Sequence, residues 1–208
     1  MLANPDLLSE ELIAYEVGVR GQPTDAFSWD LAVFFNDYQG LNTLVPGASY
    51  FAPGAIFIPL YERNVMAGET YGFELATTYN VTEQWRLQSA YTFLIMDLRP
   101  VSGTQTDSVT EGSSPRNQFY LQSSWDLGDR WELDMIGRYV DNLPAFGVSK
   151  YIVGDVRLAW HARRNMELSV VGRNLLSGNY YQFGSDSFLG TSSTEVQPEV
   201  YGQVVWRY

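Results

Sequence analysis

The 208 residues carry 24 acids against 13 bases, a formal net charge of −11, with 45% apolar residues, 18% charged residues and no cysteine. That apolar share excludes disorder, and the acidic balance excludes nucleic acid, which needs a basic face. The lack of cysteine excludes disulfide frameworks and thiolate metal sites. Nor does any run approach the roughly 18 unbroken apolar residues of a transmembrane helix.

The start, Met1 to Tyr15, has no basic region and carries acids where a signal peptide is apolar, so Met1 is expected either not to be the natural start or to follow a missing upstream portion. From there alternation with a period of two takes over, the signature of strands with one apolar face. Ile13, Tyr15, Val17 and Val19 oppose Glu16, Gly18 and Arg20; Phe27, Trp29, Leu31, Val33 and Phe35 oppose Ser28, Asp30 and Asn36. Tyr71, Phe73, Leu75 and Tyr79 then face away from Gly72, Glu74 and Thr78, and Trp85, Leu87, Tyr91, Phe93 and Ile95 from Arg86, Gln88 and Thr92. Phe119, Leu121 and Trp125 oppose Gln118, Gln122 and Asp126; Trp131, Leu133, Met135 and Tyr139 oppose Glu132, Asp134 and Arg138. Val156, Leu158 and Trp160 oppose Asp155 and Arg157, while Met166, Leu168 and Val170 oppose Glu167, Ser169 and Arg173. The last run sets Val200, Val204, Trp206 and Tyr208 against Gln203 and Arg207. About nine strands result.

The expected links alternate in length. Short ones fall at Gly21–Ala26, Asn80–Gln84, Gly128–Arg130 and His161–Asn165, and long ones at Gln39–Glu62, Asp97–Ser114, Asp141–Ser149 and Leu175–Gln197. Short turns on one side and long loops on the other predict an all-β, antiparallel up-and-down transmembrane barrel. Alternation alone also fits a soluble sandwich. The tryptophans separate the two: Trp29, Trp85 and Trp131 open strands after short turns, and Trp125, Trp160 and Trp206 lie near strand ends on that same side. Six indoles at one rim of the apolar face are expected to form a membrane-interface girdle, since an indole pairs an apolar body with an N–H that wants a polar partner. Tyr38, Tyr71, Tyr91, Tyr139 and Tyr151 lie toward the long loops and are assigned to a looser opposite belt.

Several segments, in this order, resemble the C-terminal barrel of TonB-dependent receptors: NPDLLSEELIAYEVGVRG (4–21), LAVFFNDYQGL (31–41), GETYGFEL (68–75), SPRNQFYLQSSWDL (114–127), VGRNLLSGNYYQFG (171–184) and the terminal VYGQVVWRY. Ser177 stands where the family usually has an acid, and Gly202 lies six residues before Tyr208 where five is usual. The resemblance implies that residues 1–208 form about nine strands of a 22-stranded barrel, with short periplasmic turns and long extracellular loops. It implies a location in the bacterial cell outer membrane and an assembly signal at Trp206 and Tyr208, read by the barrel assembly machinery. The family's plug domain and TonB-recruiting segment have no counterpart here, so a C-terminal fragment not competent alone is expected. Nine antiparallel strands also leave two open edges, costly in hydrocarbon.

The function implied is active uptake of a scarce nutrient, such as a ferric siderophore or cobalamin, energised by the TonB complex through the missing N-terminal part. The partners are then outer-membrane lipid and a small-molecule chelate. Tyr50, Phe51, Tyr61, Arg63, Arg99, Tyr180, Tyr181 and Phe183 are the candidate ligand-loop residues, since aromatics stack on a bulky chelate; a role of the aromatics as loop anchors or upper-girdle residues is the favoured reading. The charged residues Arg20, Asp30, Glu74, Arg86, Glu132, Asp134, Arg138, Asp155, Arg157 and Arg173 should face inward, because charges facing lipid are expensive. His161, the single histidine, is placed in an exposed short turn beside Arg163 and Arg164. No P-loop, GxGxxG, HExxH or EF-hand pattern occurs, so no enzyme, cofactor or metal site is assigned. A passive porin or autotransporter barrel, and a soluble β-sheet binding protein, are the alternatives.

Overall fold

The computed structural model describes residues 5–101, 111–184 and 191–208. Asn4 of the first resembling segment, and parts of the expected loops 97–114 and 175–197, lie outside the described residues.

The strands are β1 (Glu11–Thr24), β2 (Phe27–Pro46), β3 (Tyr50–Ala52), β4 (Ala55–Phe57), β5 (Leu60–Thr82), β6 (Trp85–Pro100), β7 (Asn117–Leu127), β8 (Trp131–Val140), β9 (Tyr151–Arg163), β10 (Met166–Arg173), β11 (Tyr180–Tyr181), β12 (Glu195–Val196) and β13 (Glu199–Trp206). A single 3-10 turn, Pro144–Phe146, lies between β8 and β9. Nine of the strands form one antiparallel sheet in the order β1-β2-β5-β6-β7-β8-β9-β10-β13, and β3–β4 and β11–β12 are small hairpins in the long connections. Each main strand pairs with its neighbour in sequence, so the sheet is a meander with β1 and β13 as its edges.

Several expected boundaries move, most by a few residues as β1 runs to Thr24, β5 to Thr82 and β6 to Pro100, and two with larger consequences. The stretch Gln39–Glu62, expected as a loop, is largely ladder: Thr43 pairs with Arg63, Val45 with Tyr61 and Pro46 with Leu60, before the β3–β4 hairpin turns at Pro53–Gly54, where Gly54 takes φ +87°. Three prolines made this stretch read as loop, but they sit at strand ends and at the turn, where a missing N–H costs no ladder bond. The turn expected at His161–Asn165 is also shorter, because β9 runs through Arg163. His161 is therefore a strand residue, paired with Glu167, and not part of an exposed turn.

The register carries single pairing rows across many strands. One runs Val19–Leu31–Leu75–Tyr91–Phe119–Tyr139–Ile152. All its members share one face, since side chains alternate sides along each strand. That face is apolar and uncovered: Val17 is 70% exposed, Val204 63% and Trp206 70%. Among the described residues very few side chains are buried, and none of the large ones is fully so. The accessible surface of 14412 Å² far exceeds the ~9,800 Å² expected of a compact soluble protein of this mass. A single sheet with a bare apolar face has no core of its own, and something other than water must cover it. No helix among the described residues is long and apolar enough to cross a membrane.

Candidate functional site

The register brings the six tryptophans to one rim of the sheet, all on the apolar face. Trp85 pairs with Trp125, Trp131 with Trp160, Trp206 with Met166, and Trp29 with Gly21, each beside a short turn. Trp85 and Trp125 stack with centroids 4.2 Å apart, and Trp131 and Trp160 at 5.9 Å. The Trp29 ring lies over Gly21, so that a Cβ there would fall 2.7 Å from the indole. The N–H groups of Trp85 and Trp125 both donate to Ser123 Oγ, at 3.0 and 2.8 Å. One hydroxyl thus satisfies two indoles on a mostly apolar face. Ser123→Ala should leave both donors unpaired and lower stability by about 1–2 kcal/mol. Blue-shifted, more heterogeneous tryptophan emission together with a lower denaturant midpoint would register it; an unchanged midpoint would show that the indoles find other partners.

The opposite belt is only partly as expected. Tyr71, Tyr91 and Tyr139 share the tryptophan face, but Tyr38 and Tyr151 have the other parity in their strands and point to the polar face. Height along a strand does not fix the face, which depends on the parity of the position. At the long-loop edge of β7 and β8 the apolar face ends in a polar chain: Tyr91 donates to Asn117 (2.7 Å), Asn117 Nδ2 to Asp141 Oδ2 (2.8 Å), and Tyr139 to Asp141 Oδ1 (3.3 Å). The Asn117 amide holds the Asp141 carboxyl below its ordinary value, so this contact is kept in mildly acidic medium and lost only as pH falls through that lowered value. From Trp131 to Tyr139 is eight residues, or ~27 Å along the strand and roughly 20 Å along a barrel axis at the usual tilt, near the ~25 Å of a membrane barrel's apolar band.

All ten charged residues assigned inward lie on the polar face, opposite the tryptophans. Several of them form a network that the linear sequence does not reveal. Arg157 on β9 donates to Glu132 Oε2 (3.2 Å) and Asp134 Oδ2 (3.0 Å) on β8, and to Glu167 Oε1 (2.5 Å) on β10. Glu132 Oε1 in turn meets His161 Nε2 at 2.7 Å. Ser124 Oγ donates to Asp134 Oδ1 (2.7 Å), Gln122 Nε2 to Ser124 (3.1 Å), and the Tyr120 hydroxyl to Gln122. Arg138 pairs with Asp155 (2.7 Å) and Arg20 with Asp30 (2.8 Å). Among the described residues no group of three or more His, Asp or Glu is arranged to hold a metal ion.

The expected ligand-loop residues fall into two separate groups. Tyr50 and Phe51 lie on the β3–β4 hairpin, 55% and 84% exposed, with Tyr50 stacked on Phe57. Tyr61 and Arg63 are at the base of that hairpin on β5, the guanidinium 5.9 Å from the Tyr61 ring centre. Arg99, on β6, faces Glu69 at 3.8 Å. Tyr180, Tyr181 and Phe183 lie beyond β10, which is separated from β5 by four intervening strands of the sheet. Tyr180 is buried against Tyr151 (4.6 Å) and donates to Asn174 Oδ1 (3.2 Å), so it anchors its loop. Tyr181 bonds to Glu195, which raises the phenol above its ordinary value, while Phe183 stays exposed.

The sequence model of the family described as "TonB dependent receptor-like, beta-barrel" matches residues 1–175. No curated protein sequence matches the chain. Among solved structures, the pyoverdine outer membrane receptor FpvA from Pseudomonas aeruginosa PAO1 is similar over 97% of this chain and 30% of its own, at 19% identity and TM-score 0.69. The FrpB iron transporter from Neisseria meningitidis is similar over 97% and 32%, at 14% identity and TM-score 0.72. The ferric-catecholate import receptor Fiu from E. coli K12 is similar over 97% and 28%, at 18% identity and TM-score 0.69. The chain thus spans about a third of the length of the structures it matches.

Proposed function

Because the chain belongs to the TonB-dependent receptor β-barrel family, whose barrels sit in the bacterial outer membrane, we propose that it forms one wall and the outer loops of a receptor that takes up a scarce nutrient by TonB-driven transport. The observation that carries this reading is the nine-strand meander with one bare apolar face, bounded by indoles at one end and a Tyr–Asn–Asp chain at the other. On this reading that face meets lipid, and the tryptophans form the interface girdle at the short-turn, periplasmic end. The polar face lines the lumen, and β1 and β13 pair with strands of the same barrel outside residues 1–208. The plug and the segment that contacts TonB also come from another stretch of polypeptide. β13, with Trp206 and the exposed Tyr208 after it, offers its strand to the barrel assembly machinery.

The ligand class proposed is a metal chelate or similar bulky nutrient, gripped by exposed loop aromatics; the exposure of Phe51, Tyr50 and Phe183 supports a stacking role for them. FpvA, Fiu and FrpB are described as a pyoverdine receptor, a ferric-catecholate importer and an iron transporter, which puts ferric chelates first among the candidates. Cells carrying the intact gene should accumulate labelled ferric chelate, or cobalamin, only while the inner membrane is energised, and an uncoupler should abolish the accumulation. Influx that persists without energy would instead place the barrel with passive porins. The Phe51→Ala, Phe183→Ala pair should weaken chelate binding about tenfold at unchanged barrel assembly, each ring contributing roughly 0.5–1.5 kcal/mol beyond area.

A further inference from the structure

We infer that Arg163, at the close of β9, is the centre of a binding site for the phosphate of an anionic phospholipid in the membrane leaflet at the short-turn end of the sheet. This rests on the reading that the apolar face meets lipid. The residue pairs that close the four short turns are Thr24–Phe27, Thr82–Trp85, Leu127–Trp131 and Arg163–Met166. Directly paired residues share a face, so all eight stand on the apolar face, and Arg163 alone among them is charged. A register shift puts it there. Glu167 pairs with His161 but Met166 with Arg163, so Ala162 is the extra residue of a bulge that turns Arg163 to the lipid side. Strict alternation from Arg157 would have kept it on the polar face.

The surroundings supply what a lipid phosphate needs. Trp160 precedes Arg163 on the same face and Trp206 pairs with Met166, so Arg163 stands just beyond the indoles, at headgroup level. The stacked Trp131 and Trp160 and the exposed Trp206 offer an apolar surface for the acyl chains. The turns around Arg163 are basic as well. Arg164 follows in the same turn, Arg207 donates its backbone N–H to Asn165 O (2.9 Å), and Arg130 O accepts from the His161 N–H (2.8 Å). Segments 128–130, 163–165 and 207–208 thus hold four arginines against one acidic side chain, Asp129, in a chain of net charge −11. All four are exposed, and none makes an ion pair among the described residues. The nearby Glu132, Asp134 and Glu167 lie on the polar face, where Arg157 holds them. The other two short turns carry Asp25 and Glu83 and no base. Positive charge is therefore concentrated at one corner of the rim, where a guanidinium without a carboxylate matches the oxygens of a phosphate.

The intact receptor, purified in detergent, would be titrated with dioleoyl phosphatidylglycerol and with zwitterionic dioleoyl phosphatidylcholine, and bound lipids counted by native mass spectrometry. Phosphatidylglycerol should bind more tightly, and Arg163→Gln should weaken it about fivefold, the increment of one arginine near an anionic surface, while leaving phosphatidylcholine unchanged. Arg163→Lys, which keeps the charge, should retain most of the preference. Lys150→Gln, which removes an exposed cation at the long-loop end, is the control and should change nothing. Heat-modifiable migration checks that each variant is folded. If Arg163→Gln fails to fold, the Arg164→Gln, Arg207→Gln pair, outside the strands, must still lower phosphatidylglycerol binding selectively. Equal affinities for the two lipids, or a preference that survives in R163Q, would overturn the inference. So would displacement of the lipid by an equal concentration of glycerol phosphate, which would mark a free-anion site. No adduct of either lipid would overturn the membrane reading along with it. The titration needs neither TonB nor nutrient, so a failed uptake assay and a failed lipid site remain distinguishable.

Discussion

Gly72→Val should remove most of the folded barrel from the outer membrane, at a cost of about 3 kcal/mol, the upper part of what overpacking does. Gly72 sits in the middle of β5, pairing with Phe34 on one side and Leu94 on the other. A Cβ built there would run into the Phe93 carbonyl oxygen, lie 2.9 Å from its carbonyl carbon and touch Phe34 Cζ at 3.0 Å. The first two are backbone atoms of β6 and cannot yield without opening the β5–β6 ladder, which runs from Thr82 to Met66. The Phe34 ring lies over the space that the glycine leaves, the usual way a strand glycine is covered. Gly137→Ala is the internal control, because an added Cβ at Gly137 meets nothing within 4 Å. Heat-modifiable migration of the folded band, quantified from outer membranes, should be lost for Gly72→Val, reduced for Gly72→Ala and unchanged for Gly137→Ala. Similar losses at both positions would mean that general strand propensity, and not the close approach of β6, governs the glycine.

The same crowding explains part of what was legible in the sequence. The segment GETYGFEL stood out by resemblance, and the structure gives two of its positions a steric reason: at Gly68, as at Gly72, an added Cβ meets β6 atoms. The number of main strands, their order and the side of the short turns followed from alternation and from where polar, Gly- and Pro-rich stretches fall, because in a meander neighbours in sequence are neighbours in space. Placement along a strand was less legible. Trp160–His161–Ala162–Arg163 still alternates, but its cluster of charges beside Asn165 reads as turn, and only the pairing of His161 with Glu167 shows that the ladder continues. Tyr38 and Tyr151 were assigned by height alone, and parity sends them to the other face. The Arg157 network was invisible in the sequence. Its members are spread from Glu132 to Glu167 across three strands, and a register slip by one residue would put Arg157 on the opposite face.

That dependence on register makes Arg157 the most consequential charged residue of the polar face. Arg157→Met keeps most of the side-chain length but leaves Glu132, Asp134 and Glu167 facing one another with His161 as the one remaining base. Removing one partner of a buried ion pair costs 3–5 kcal/mol in general. Here the Arg157 side chain is 28% exposed and its acids 17% to 38%, so solvent screening brings the expected loss to about 2 kcal/mol. The deficit is like-charge repulsion, and it should therefore shrink as salt rises from 0.05 to 1 M, where the screening length falls to ~3 Å. Glu132→Gln makes the opposite change. It relieves one of three acids while Arg157 keeps Asp134 and Glu167, so its cost should stay under about 1 kcal/mol with little salt dependence. Urea midpoints of the two variants at low and high salt decide the matter. If the cluster is held by Arg157, only Arg157→Met recovers in salt; if Glu132→Gln is the more damaging change, the network is organised instead by the Glu132–His161 contact, and the guanidinium is a bystander.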